Sequence, residues 1–212
     1  MTDALATRLR LLASTVSVLV LLAILVGAWY LFQLRASLPQ LDGSHQLVGL
    51  ADPVTVTRDA LGVPTLRGNN RLDVARALGF LHAQDRFFQM DLLRRRGAGE
   101  LAELFGPAAL PLDRRTKPHR FRALAGKVLA ALPPDRRALL ESYTAGVNAG
   151  LTALREKPFE YLVLRVEPQP WRPEDSVLIS YAMTLDLQDD RNGYERSLMT
   201  LRDQLGSDTL AF

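Results

Sequence analysis

Three histidines, His45, His82 and His119, are the only imidazoles in the 212-residue chain, and no Gly-x-Ser-x-Gly turn accompanies them. There is no His-Glu-x-x-His pair. The chain has no cysteine, which removes disulfides, thiolate metal sites and a cysteine nucleophile. His82 lies in an apolar-periodic run four residues before Arg86, and a helical histidine in that setting reads as packed or hydrogen-bonded rather than catalytic. No nucleophile, base and orienting group can be assembled from these residues, so the catalytic assignment is none. Two other groupings carry chemistry. Asp186, Asp189, Asp190 and Glu195 are clustered oxygen donors of the kind Ca²⁺ takes, although by composition alone Glu195 reads as a solvated acid in the first turn of a helix. Met183 and Leu187, one helical turn apart, can share a face, a spacing that plain core residues also show.

The elements that must position these residues centre on Ala77 to Gly106. Leu78, Leu81, Phe88 and Leu92, then Leu101 and Leu104, recur three and four apart, which predicts helix with one buried stripe. Gln84, Asp85 and Arg86 sit beside Phe87 and Phe88, so some of these polar groups approach the core, where Asp85 and Arg86 need partners. The simplest reading is a structural network of ion pairs. Gly97 and Gly99 interrupt the run, and Gly-Ala-Gly is not a nucleotide loop, because no strand precedes it and the third glycine is missing. Arg94, Arg95 and Arg96 point in different directions from successive helix positions and read as one or two internal ion pairs plus solvated charge.

Before the centre, Val54 to Thr57 and Val63 to Arg67 read as a hairpin turning at Gly62, and Asn70 reads as an N-cap supported by Asp73. After it, Glu100 to Phe105 is a short helix, Leu110 to Asp113 a loop, and Ala123 to Leu132 a helix. Asp135 to Leu154 is a helix with Leu139, Tyr143, Val147 and Leu151 on one face. Phe159 to Val166 leans towards strand. Pro173 opens a helix through Leu187, Gln188 to Gly193 turns, and Tyr194 to Leu205 is the last helix. The fold class is α+β and mainly helical, a short hairpin followed by helices.

Residues 1–10 are polar, with Arg8 and Arg10 at their end. Residues 11–34 carry no charge and are long enough to cross a bilayer, with Trp29 and Tyr30 near the outer end. The aromatic residues that follow suit a signal-peptidase site poorly, so an uncleaved single-pass anchor in the cytoplasmic membrane is expected. Arg8 and Arg10 favour an inside N-terminus, a bias that Arg35 weakens, and place the body on the periplasmic or extracellular side. Residues 35–53, with Pro39, Gly43, Gly49 and Pro53, read as a linker with extended structure around Gln46 to Leu50, and residues 54–212 as the domain. The net charge of +3 comes without a clustered basic face, which argues against nucleic-acid binding.

From Val54 onward the chain also resembles a known family. HAQDRFFQMDLLRRRGAGELAELFG is similar to the first long helical segment of penicillin acylases, which are N-terminal-nucleophile amidases, and TRDALGVPTL resembles their opening strand pair, with Thr65 where a histidine is usual. Tyr143, Gly146 and Asn148 match a Tyr-x-x-Gly-x-Asn phrase. Pro168, Trp171, Pro173 and Asp175 match Pro-x-x-Trp-x-Pro-x-Asp. The resemblance covers the small-subunit part of the precursor. It implies that the nucleophile and oxyanion hole belong to a second, large catalytic subunit released by self-cleavage, and that an N-acyl amide, a β-lactam antibiotic or an N-acyl-homoserine lactone, is the substrate. It further implies that Met183 and Leu187 line the acyl pocket, with Leu187 where an aromatic is typical, and that Glu195 supplies one ligand to a structural Ca²⁺. This reading demands a continuation beyond Phe212. The alternatives from other classes are a non-catalytic membrane-anchored helical module that binds a partner protein, and an inactive gene fragment.

Overall fold

The computed structural model describes residues 2–188 and 192–206, with side chains from residue 12 onward. A long helix, α1 (Thr2–Ala36), precedes an antiparallel hairpin of β1 (Thr55–Arg58) and β2 (Pro64–Arg67), in register Val56 with Leu66 and Thr57 with Thr65. Helices α2 (Arg71–Ala98), α3 (Ala102–Phe105), α4 (Leu110–Thr116), α5 (Phe121–Ala131), α6 (Pro134–Ala153), α7 (Phe159–Leu164), α8 (Pro173–Leu187) and α9 (Gly193–Leu205) follow, with short 3₁₀ turns on either side of α4. The α+β, mainly helical class is as expected.

Local chemistry starts and stops α2. The Asn70 side chain accepts the Asp73 N–H at 2.9 Å, and Asp73 in turn accepts the N–H groups of Ala51 and Asp52, which ties the preceding segment to the helix start. Those backbone bonds hold the Asp73 carboxyl below its ordinary pKa. Gly99 ends the helix in the left-handed conformation at φ 70°. Inside, α2 is kinked at Arg86, where φ is −147° and ψ 22°.

α2 crosses α6 at very close range. A Cβ on Gly79 would collide with the Tyr143 carbonyl, one on Gly146 with the Arg76 carbonyl, and one on Gly150 with the Phe80 carbonyl. A Cβ on Gly97 would come within 2.7 Å of the Leu178 carbonyl, so α8 also lies directly on the α2 backbone. Above the α2–α6 crossing sits one core of Ala83, Phe87, Val147, Tyr161 and Trp171; a second, of Ala98, Ala125 and Leu178, joins α2, α5 and α8.

Four expectations are corrected. Leu110 to Asp113 is not a loop: it opens α4, where Pro111 is tolerated in the first turn and the Asp113 carboxylate accepts the N–H groups of Leu101 and Ala102, capping α3 from outside. Phe159 to Val166 is not a strand. It forms α7, which buries Tyr161 completely and stops at Arg165 with φ 56°, since no neighbouring strand exists to pair with it among the described residues. Gln46 to Leu50 holds no strand and passes through a turn at Gly49. The buried face of α2 is only in part the leucine stripe: Leu81 is buried, but Leu78, Phe88 and Leu92 are half-buried, and the face also runs through Ala77, Phe80, Gln84, Phe87, Asp91, Arg94 and Ala98. Close helix crossings select glycine and alanine at the contact points, and Phe80, Leu81 and Phe87 share the rest of that face with paired charges.

Candidate functional site

Asp91 is the hub of a charged network inside the bundle. It has no exposed surface; its Oδ1 accepts Arg94 Nε at 2.7 Å and Arg95 Nε at 3.0 Å, and its Oδ2 accepts the Tyr161 hydroxyl at 2.7 Å. Arg94 continues to Asp175 Oδ2 at 2.7 Å and to the carbonyls of Gln169 and Pro170, with its guanidinium 5.1 Å from the centre of the Trp171 ring. Arg122 bridges Asp175 to Glu100, and Arg95 reaches Glu103 at 2.5 Å. Every buried charge of this network is thereby paired, the condition under which such a cluster is tolerated. Burial and the adjacent Asp91 charge push the Tyr161 phenol far up, so it stays a donor. Burial opposes the charged forms of Glu100, Arg95 and Arg122. Pairing outweighs it: Glu100 and Arg122 hold each other, with Asp175 also on Arg122, and Asp91 and Glu103 hold Arg95, so that Glu100 lies below its ordinary value and both arginines above theirs.

This network positions α8. Asp175 also accepts the Arg172 N–H at 2.8 Å, closing the first turn behind Pro173, and Asn148 on α6 clamps the Trp171 backbone, accepting its N–H at 2.8 Å and donating to its carbonyl at 2.9 Å. The Tyr-x-x-Gly-x-Asn and Pro-x-x-Trp-x-Pro-x-Asp phrases therefore meet: one packs on α2 through Gly146 and grips the other through Asn148. Tyr143 of the first phrase contacts His82 Nδ1 through its hydroxyl at 2.9 Å. Burial lowers the His82 pKa, partly opposed by Asp85, and raises Tyr143 to about 12. Asp85 pairs with Arg58 at 2.9 Å, which fastens the hairpin beside the α2 kink.

Beyond Ala182, α8 leaves the bundle. Met183 and Leu187 lie one turn apart as expected, and both face outward, 60% and 77% exposed. Arg96 pairs with Asp186 on the flank of that turn, so Asp186 is already engaged. Glu195 sits exposed in the first turn of α9, which buries no residue and presents Tyr194, Met199, Leu201 and Leu205 to the outside. Asp189 and Asp190 lie outside the described residues. Among the described residues no three His, Cys, Asp or Glu side chains converge. The three histidines stay apart in role: His45 lies 5.1 Å from the Phe80 ring centre and His119 stacks on Phe121, while His82 meets Tyr143.

Reading from sequence missed Asp91 as the hub, although its spacing of three and four before Arg94 and Arg95 is the signal for helical ion pairs. It also missed Asp113, whose capping role depends on a neighbouring helix and leaves no local trace.

Comparison with known proteins places this arrangement. The family model for Penicillin amidase matches residues 53–212, and the chain belongs to that family. It is 40% identical over 146 residues to the penicillin acylase 2 proenzyme of Pseudomonas sp. (strain SE83), covering 69% of this chain and 19% of that protein. It is 36% identical over 181 residues to the acyl-homoserine lactone acylase QuiP of Pseudomonas aeruginosa, covering 83% and 21%. The chain thus spans about a fifth of the length of these relatives. Among solved structures, a chain of the thermostable penicillin G acylase from Alcaligenes faecalis superposes with a TM-score of 0.61 at 29% identity, covering 76% of this chain and 88% of that one.

Proposed function

We propose that this chain is the small-subunit part of an amidase that hydrolyses the N-acyl amide bond of a β-lactam or N-acyl-homoserine lactone. The nucleophile comes from a large catalytic subunit cut from the same precursor, and this chain alone is inactive. The observation that carries the reading is a contrast in coverage: the chain matches a fifth of the proenzyme-length relatives but 88% of one solved penicillin G acylase chain. The naked face of α8 and α9 supports it, since an exposed apolar surface rooted in a rigid bundle suits an obligate interface. In this reading the buried network holds α8 so that Met183 and Leu187 stand as one wall of the acyl pocket, completed by the large subunit. Glu195 gives a structural Ca²⁺ one carboxylate ligand.

The apolar helix Leu12–Ala36 is long enough to cross a bilayer. We read it as an uncleaved anchor holding the body on the periplasmic or extracellular side. The test is hydrolysis of a panel of N-acyl substrates by the full reading-frame product. Release of the amine product with an acyl preference that shifts in Leu187→Phe supports the proposal; a product that hydrolyses none of the panel contradicts it.

A further inference from the structure

Two clefts open where α1 meets the body, and they share Leu38, Pro39 and Gln84. The larger, of about 740 Å³, has Phe32, Arg35 and Arg155 on its walls; the other, of about 600 Å³, is bounded by the hairpin tip and the start of α7. The side chains around this second cleft are unusual for a surface: Leu61 is 89% exposed, Leu38 65%, Val63 55% and Phe159 48%. Arg86, at the α2 kink, and Arg35 and Arg155 add exposed positive charge. Glu156 and Glu160 on the same walls are half-buried.

The distance of this rim from a bilayer follows from α1. Seven residues separate Trp29, at the expected aromatic belt, from Ala36, or about 10 Å at 1.5 Å per residue. The helix stays regular to Ala36, whose carbonyl accepts the Glu156 N–H at 3.3 Å, so the body begins about 10 Å beyond the aromatic belt, within the headgroup layer. Leu38, the hairpin tip and Phe159 then lie at headgroup depth, where exposed apolar side chains beside arginines are favoured by the interface and by anionic lipid.

We propose that this rim is a second membrane contact: Leu61, Val63 and Phe159 enter the interfacial layer of the bilayer while Arg35, Arg86 and Arg155 meet lipid phosphates. The contact seats the body on the membrane instead of leaving it tethered. It rests on the reading of α1 as an uncleaved anchor.

The absence of cysteine from this chain makes the test direct. Nitroxide labels are placed singly at Leu61→Cys, Phe159→Cys, Leu22→Cys and Val128→Cys in the full reading-frame product. Each is reconstituted in vesicles of phosphatidylethanolamine and phosphatidylglycerol, with the signal of the labelled parent subtracted. Collision with oxygen marks a lipid setting and collision with a water-soluble nickel chelate an aqueous one. Oxygen is expected to dominate at positions 22, 61 and 159 but not at 128, on the exposed side of α5. A lipid signature at 22 with an aqueous one at 61 and 159 overturns the contact and leaves the anchor standing. Labels at 61 and 159 shielded from both reagents show that protein covers the rim, and overturn it equally. An aqueous signature at 22 overturns the anchor itself.

Discussion

Replacing Asp91 by asparagine isolates the interaction that holds α8 in place. The substitution keeps the side chain's size and removes its charge, so Arg94 retains Asp175 and two carbonyls, whereas Arg95 retains only Glu103, which is itself largely solvent-exposed. Arg95 is 4% exposed, so water replaces little of the lost carboxylate. Leaving one buried charge short of its partner costs about 3–5 kcal/mol, and the lower end applies here because an amide oxygen still accepts one bond. Tyr161→Phe removes one hydrogen bond to a charged group and no charge, at about 1.5–2 kcal/mol. For a chain of this size about 3 kcal/mol corresponds to a fall in Tm of about 6–12 °C. Thermal and urea unfolding of this 212-residue chain, followed by tryptophan fluorescence to which buried Trp171 contributes, gives both values. The loss in D91N should exceed that in Y161F and persist at high salt, because buried pairs escape screening. A D91N protein within about 2 °C of the parent, or one less affected than Y161F, would refute the assignment of Asp91 as hub.

Further outcomes follow from the geometry. Gly146→Ala should disrupt the α2–α6 crossing by about 1–3 kcal/mol or more, whereas Gly126→Ala, on exposed α5 with nothing within 4 Å, should be neutral or stabilise by about 0.5–1 kcal/mol; urea midpoints compare the two. Because the folded pKa of His82 lies below 6.5, the fold is penalised as pH drops from 6.5 towards that lower value, and His82→Gln should flatten this slope in a pH series of Tm. At the alkaline end the Tyr143 phenol, raised from 10.0 to about 12, withdraws stability as pH rises across that interval, and Tyr143→Phe should abolish the effect. Leu187→Phe, on an exposed turn, should leave the unfolding free energy from urea titration within about 0.5 kcal/mol of the parent while changing relative rates on substrates of different acyl size.

Elements marked by local chemistry were readable in the sequence. Asn70 with Asp73, Gly62 between β-branched runs, Gly99 after the arginines and Pro173 before two acids each set a boundary with backbone or side-chain groups a few residues away. The partnership of the three arginines was also readable in outline: two are buried in pairs and Arg96 reaches Asp186 at the surface. What escaped depends on distant residues. α7 places Tyr161 against Asp91, seventy positions earlier, and finds no strand to pair with among the described residues. Only Leu81 of the leucine stripe within α2 is buried, because α6 and α8 approach the backbone too closely for any side chain at Gly79 and Gly97 and because paired charge takes Asp91 and Arg94. The spacing of Met183 and Leu187 was visible, but only the structure shows them facing away from the bundle.

The account stands most directly on what lies past Phe212. Sequencing the DNA downstream of its codon, expressing the whole reading frame and weighing the intact product would decide it. The account predicts two chains, the second beginning with Ser, Thr or Cys, in a complex that releases amine from an N-acyl substrate. A stop codon near Phe212 with a stable, folded single chain would contradict it and favour a membrane-anchored binding module; a stop with an insoluble product would mark a broken gene.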